Sequence, residues 1–136
     1  MVEMDVSYQG DLHCSAAHAP SGNTIVTDAP RDNQGRGEAF SPTDLIGAAL
    51  GTCILTIMGI YARRHSIDIS GATAHVTKEM ASAPARRVGK LAVTVNLPGR
   101  VPQEHRQAME RAARACPVGQ SLHPELEQAI TFVYAG

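Results

Sequence analysis

Apolar and polar residues alternate loosely over 2–9 (VEMDVSYQ), which sets Val2, Met4, Val6 and Tyr8 on one side of an extended chain. A turn signal, QGD, leads into 12–17 (LHCSAA), and a second, PSGN, leads into 23–28 (NTIVTD). Together these segments predict an antiparallel meander of three strands. Residues 29–40 (APRDNQGRGEAF) mix glycine, proline and charge, as an exposed loop does. The period then changes, and 41–64 reads as one long helix. Strand alternation returns at 72–81, where Ala72, Ala74, Val76 and Lys78 face away from Thr73, His75 and Thr77. It is cleaner at 88–97, through Leu91, Val93, Val95 and Leu97. After the break LPGRVP, residues 102–115 form an amphipathic helix with Val101, His105, Ala108, Met109, Ala112 and Cys116 along one stripe. A last strand covers 128–134. This order predicts one α+β domain spanning residues 1–136.

The long helix has a well-marked start. Ser41 is a good N-cap, Pro42 suits the first helical position, and Asp44 completes an S-x-x-D capping box. Arg63, Arg64 and His65 complement the macrodipole at its far end. Between Leu45 and Ala62 there is no charge, so every face must be covered. The run is long enough to be weighed as a membrane span. Gly47, Gly51, Thr52, Thr56 and Gly59 dilute its hydrophobicity, and amphipathic strands flank it. The reading adopted is a helix buried between sheets, with no membrane partner. Glycines at 47 and 51 are expected to admit a second helix, which predicts a homodimer.

Length and composition narrow the function. At 136 residues the chain is long enough for one proper core. Lys and Arg number 12 against 13 Asp and Glu, with no Trp, two Phe and three Tyr. That balance argues against a nucleic-acid partner. The start MVEMDVSYQG lacks the features of a signal peptide, so a cytoplasmic location with reduced thiols is expected. Three cysteines, Cys14, Cys53 and Cys116, do not make a structural disulfide framework.

Cys53 lies about 18 Å along the helix from its cap, too far for the dipole to acidify it. Cys116 directly precedes Pro117, and a new helical turn starting there would place it at an N-cap, where free N–H groups favour a thiolate. Spacing alone therefore makes Cys116 the more acidic thiol. Two cysteines on the apolar faces of two helices suit a redox couple; they also suit two buried core thiols. Cys14 with His13 and His18 suggests a metal site only weakly, because the spacing matches no usual zinc pattern. No metal or organic cofactor is expected. His65, His75, His105 and His123 are scattered, and no glycine run has the context of a phosphate loop.

SPTDLIGAALGTC, followed some sixty residues later by CPV, resembles the OsmC/Ohr family of osmotically inducible and organic hydroperoxide resistance proteins. The likeness extends over the whole chain in element order and is nearest the OsmC-like branch whose helices begin SPTEL or SPTDL. It implies an intertwined homodimer in which two six-stranded antiparallel sheets enclose the long central helices. It also implies a thiol-dependent peroxidase for organic hydroperoxides, with hydrogen peroxide as a further substrate. By position Cys53 would be peroxidatic and Cys116 resolving, with an external dithiol as reductant. Two departures stand out. The family's usual Glu ten residues before the first cysteine is Thr43 here, with Asp44 beside it. Its usual early Arg is absent, leaving Arg31 and Arg36 of the 29–40 loop, together with Asp44, as candidates for thiolate support. These departures keep two rivals open: a non-catalytic dimer holding a small apolar ligand in its interface cleft, and a purely structural dimer.

Overall fold

The alternation at the start of the chain becomes three strands: β1 (Met4–Gly10), β2 (His13–His18) and β3 (Thr24–Asp28). They pair antiparallel in the order β1-β2-β3, with Val6 opposite Ala16 and Ser15 opposite Val26. The computed structural model describes residues 1–136 and divides them into two compact units, Met1–Ile46 and Gly47–Gly136. The boundary falls inside the long helix, α1 (Pro42–Arg64).

In the first unit, the β1–β2 connection turns through Gly10, Asp11 and Leu12, all at positive φ. β1 is exposed almost throughout, and the predicted apolar row is in the open: Met4, Val6 and Tyr8 are 64%, 68% and 66% exposed. The 29–40 loop contains one 3-10 turn, Arg31–Asn33, and returns so that the Asp28 N–H donates to the Phe40 carbonyl at 3.2 Å. The capping box forms as expected: the Asp44 N–H donates to Ser41 Oγ at 3.0 Å, and the Ser41 N–H donates to Asp44 Oδ2 at 2.9 Å.

The second unit holds the rest of α1, a sheet of β4 (Thr73–Ala81), β5 (Arg87–Leu97) and β6 (Glu127–Tyr134), and the helices α2 (Gln103–Arg114) and α3 (Pro117–Ser121). β4 and β5 are antiparallel, but β5 and β6 run parallel. The expectation of wholly antiparallel sheets thus holds for the first sheet and is refined for the second. The reason is the connection: α2 and α3 carry the chain back to the starting end of β5, and a helical crossover joins parallel strands. β5, the central strand, supplies Leu91, Val93, Val95 and Leu97 to the core. Leu50, Ile54, Met58 and Ala62 recur every fourth residue on α1, and Met109 and Ala113 come from α2. Each of these is at most 2% exposed.

Gly47 and Gly51 do not do what the sequence suggested. A Cβ at Gly51 would lie 3.0 Å from Val76 Cγ2, and one at Gly47 would lie 3.4 Å from both Leu91 and Val76. The close approach they permit is to the chain's own sheet, not to a second helix. α1 meets the length and hydropathy of a membrane crossing, with only 33% of its most apolar 18-residue stretch buried. On its open side lie Thr52, Thr56 and Ile60. The Thr52 hydroxyl donates to the Ala48 carbonyl at 3.0 Å and that of Thr56 to the Thr52 carbonyl at 2.7 Å, so neither needs an outside partner.

α2 is fixed to β6 by polar contacts at its rim. The Arg106 guanidinium stacks 4.1 Å over the Tyr134 ring, whose hydroxyl donates to Glu110 Oε2 at 2.7 Å. Burial first, and then the Glu110 carboxylate, push the Tyr134 hydroxyl well above its ordinary pKa. Arg114 donates to the Ile130 carbonyl at 3.2 Å. These contacts hold the end of α2, where the second cysteine follows.

Candidate functional site

α2 ends at Arg114, and Pro117 opens α3, so Cys116 becomes the N-cap with extended backbone angles (φ −61°, ψ 148°). Its Sγ accepts a hydrogen bond from the Gly119 N–H at 3.4 Å, as the position of Pro117 predicted. Cys116 is 2% exposed; Cys53 is half-buried on α1. The two thiols are neighbours: the presence of Cys53 helps raise the Cys116 pKa. All three cysteines are free thiols.

The acidity expected for Cys116 is corrected. Burial raises its pKa and outweighs the lowering by the Gly119 and Val118 N–H groups, while Cys53 raises it further. A five-residue helix offers a few N–H groups to the sulfur, less than the cost of charging it out of water. Cys116 is therefore harder to ionise than an ordinary thiol, and its sulfur sits at the cap beside the α1 cysteine.

Two residues support this arrangement that sequence reasoning passed over. Gln128 on β6 donates from Nε2 to the Gly119 carbonyl at 3.0 Å, tying the α3 turn to the sheet. A Cβ at Gly119 would lie 2.9 Å from Gln128 Oε1, so a larger residue there would displace the Gln128 amide. The signal for Gly119 was present: three residues after an N-cap is where a capping side chain finds its N–H. Nothing in the sequence pointed to Gln128.

The other predicted residues have local partners. Arg31 Nε donates to the Arg36 carbonyl at 3.1 Å. Arg36 Nε lies 3.0 Å from Glu38 Oε1, with a longer 4.0 Å contact from its Nη2 to Asp11. Asp44 accepts from the Ser41 N–H in the capping box. The metal grouping weighed around Cys14 does not form: His18 turns to Ser21 Oγ at 2.6 Å, while His13 faces Asp11 and Glu38. His105 bonds the Tyr61 hydroxyl at 2.8 Å, and its ring lies 4.8 Å from that of His65. A cavity of about 570 Å³ near the end of α1, lined by residues such as Leu55, Arg63 and Ile67, includes neither Cys53 nor Cys116. The chemistry-bearing groups lie elsewhere, so the cavity does not define the site.

The family model described as OsmC-like protein matches residues 35–130. The chain belongs to the OsmC-like family. A candidate osmotic stress induced and detoxification response protein from Psychrobacter arcticus is 47% identical, with a TM-score of 0.91 over 97% of this chain and 96% of that one. An OsmC-like protein from Mycoplasma pneumoniae shares the fold at 14% identity, with a TM-score of 0.82 over 100% of this chain and 98% of that one. So does an organic hydroperoxide resistance protein from Elizabethkingia anophelis, at 14% identity and a TM-score of 0.79, over 99% and 96% of the two chains. No curated protein matches the chain. The two low-identity likenesses establish the α+β OsmC-like fold, and the family model together with the Psychrobacter relative establishes membership.

Proposed function

We propose that this OsmC-like protein is a cysteine-based peroxidase that reduces organic hydroperoxides, and hydrogen peroxide as a further substrate. The observation that carries the reading is that the half-buried Cys53 of α1 neighbours the buried Cys116 at the α3 N-cap closely enough to act on it. The Cys53 thiolate attacks the terminal peroxide oxygen, the O–O bond breaks, and the alcohol leaves once its alkoxide takes a proton. Cys116 supplies that proton. The resulting Cys116 thiolate attacks the Cys53 sulfenic acid, expelling hydroxide that becomes water and leaving a Cys53–Cys116 disulfide. An external dithiol reduces the disulfide and restores both thiols. Every step uses side chains of the pair and the dithiol, without a metal or organic cofactor.

The working unit in this reading is a cytoplasmic homodimer. Its support is the uncovered apolar surface: the open side of α1, and Met4, Val6 and Tyr8 on β1. A second copy of the chain would cover both. Consumption of an alkyl hydroperoxide in the presence of dithiothreitol or dihydrolipoamide tests the activity. Wild type and Cys14→Ser should turn over, and Cys53→Ser should not. A wild-type protein inert with both reductants leaves the non-catalytic binding reading in its place.

A further inference from the structure

Three groups of the first unit converge at a point remote in sequence from Cys53 and Cys116. His13 opens β2, Asp28 closes β3, and the two are cross-strand partners in register. Glu38 joins them because the 29–40 loop folds back: Gly37 takes φ 63°, and the next N–H, that of Glu38, donates to Asp28 Oδ2 at 2.9 Å. One ligand atom from each residue can be chosen so that all three lie within 4.8 Å of one another. We propose that His13, Asp28 and Glu38 form a binding site for a divalent first-row metal ion of the zinc or manganese kind.

Protonation of the histidine is the first support. His13 Nδ1 lies 2.7 Å from the Asp11 carbonyl oxygen, which can only accept, so Nδ1 carries the proton. The other ring nitrogen, Nε2, faces two carboxylates, 3.2 Å from Glu38 Oε1 and 3.6 Å from Asp28 Oδ2. A cation placed among Nε2 and the two carboxylate oxygens would meet all three at once. A ring N–H donated to a backbone carbonyl is also the usual outer support of a metal-bound histidine.

Distances and burial supply the second. Bonds of about 2.0–2.1 Å in a tetrahedron separate neighbouring ligand atoms by roughly 3.3 Å, close to both contacts of Nε2. Asp28 is 1% exposed, and its Oδ1 is buried without a hydrogen-bond partner, so the carboxylate has unused acceptor capacity beside the Oδ2 that faces His13. The Asp28 carboxyl is held below the ordinary aspartate range by the Glu38 N–H, against its burial, with His13 and the Arg36 and Ala29 amides adding to the lowering. It is therefore ionised and fit to bind at neutral pH. Arg36, 3.0 Å from Glu38 Oε1, opposes a cation, but two carboxylates against one guanidinium leave the site negative. A histidine with two carboxylates suits zinc or manganese and leaves a coordination position for water.

The test is calorimetric titration of chelator-treated, full-length protein with zinc chloride and, separately, manganese chloride. The site predicts saturation at about one ion per chain in wild type. Removing a direct ligand in Glu38→Gln or His13→Asn should weaken binding at least about tenfold, the lower end of the effect of losing even an outer partner. Cys53→Ser and Cys116→Ser should bind as wild type does. Nitrogen-detected NMR of His13 should show Nδ1 protonated and Nε2 shifted on addition of zinc. No saturable binding, binding shared equally by the Glu38 and His13 variants, or binding lost in the cysteine variants would overturn the proposal. In the first case Nε2 carries a second proton, and the cluster is an ion pair.

Discussion

The two sheets of this chain each carry a row of alternating apolar residues and use it in opposite ways. In the β4-β5-β6 sheet, Leu91, Val93, Val95 and Leu97 are all at most 2% exposed, while in the β1-β2-β3 sheet Met4, Val6 and Tyr8 are each at least 64% exposed. Buried residues in the first sheet are Thr27 and Asp28, a polar and a charged one. The difference teaches that alternation reports which side of a strand is apolar and not what covers it. One sheet has its cover within its own unit. The other has an exposed apolar row, which the dimer proposed above would cover.

The largest effect expected is in the covered sheet. Leu91→Ala removes a fully buried side chain beside Gly47 and should cost about 2–5 kcal/mol in denaturant unfolding. Val6→Ala, on the open row, should cost far less per chain, and equal losses would erase the contrast. Placing a charge on that row should act on assembly. Wild type should sediment at about twice 14.4 kDa, and Val6→Asp should move towards the single-chain mass while keeping its helical circular dichroism. A folded wild-type monomer would remove the dimer, and with it the proposed cover.

Gly51→Leu is next in size. A Cβ at this position already meets Val76 Cγ2 at 3.0 Å, so the longer side chain should destabilise the second unit by about 1–3 kcal/mol. If the effect appeared only in dimer dissociation, Gly51 would face a partner rather than β4. The smallest effect is expected in acid. Asp28 and Asp68 both have pKa values lowered in the folded protein, Asp28 chiefly by the Glu38 N–H and Asp68 by Ser70. A lowered native pKa stabilises fully above the unfolded value of 3.8 and is lost as pH falls through the native one. Asp28→Asn should therefore flatten the acid limb of the stability profile, and Asp68→Asn, at an exposed site, should change it less. The reverse order would place the first unit's electrostatic support elsewhere.

Much of this was legible in the chain because it is local. Ser41, Pro42 and Asp44 marked the start of α1, and the Cys116–Pro117 step marked the cap of α3, since capping is decided within four residues. The alternation at 88–97 identified the central strand because both neighbours and helices bury the same parity. Burial itself was not legible. The ionisation of Cys116 depends on water excluded by residues distant in sequence, so spacing gave it the wrong direction. Gly47 and Gly51 announced a close neighbour, but the reading of it as a second helix was wrong, since the glycines meet Val76 and Leu91 of the chain's own sheet. The parallel pairing of β5 with β6 follows from a crossover whose return path alternation does not encode. The grouping of His13, Asp28 and Glu38 needed both a strand register and a loop that folds back on it.

The central claim is that Cys53 and Cys116 form one redox unit. One equivalent of an alkyl hydroperoxide, followed by mass-spectrometric mapping of oxidised thiols, tests it most directly. Wild type should yield a Cys53–Cys116 disulfide, and Cys116→Ser should accumulate sulfenic acid at Cys53. Cys14→Ser should match wild type. Sulfenic acid trapped only at Cys116 would reverse the roles, and no oxidation at either thiol would contradict the account.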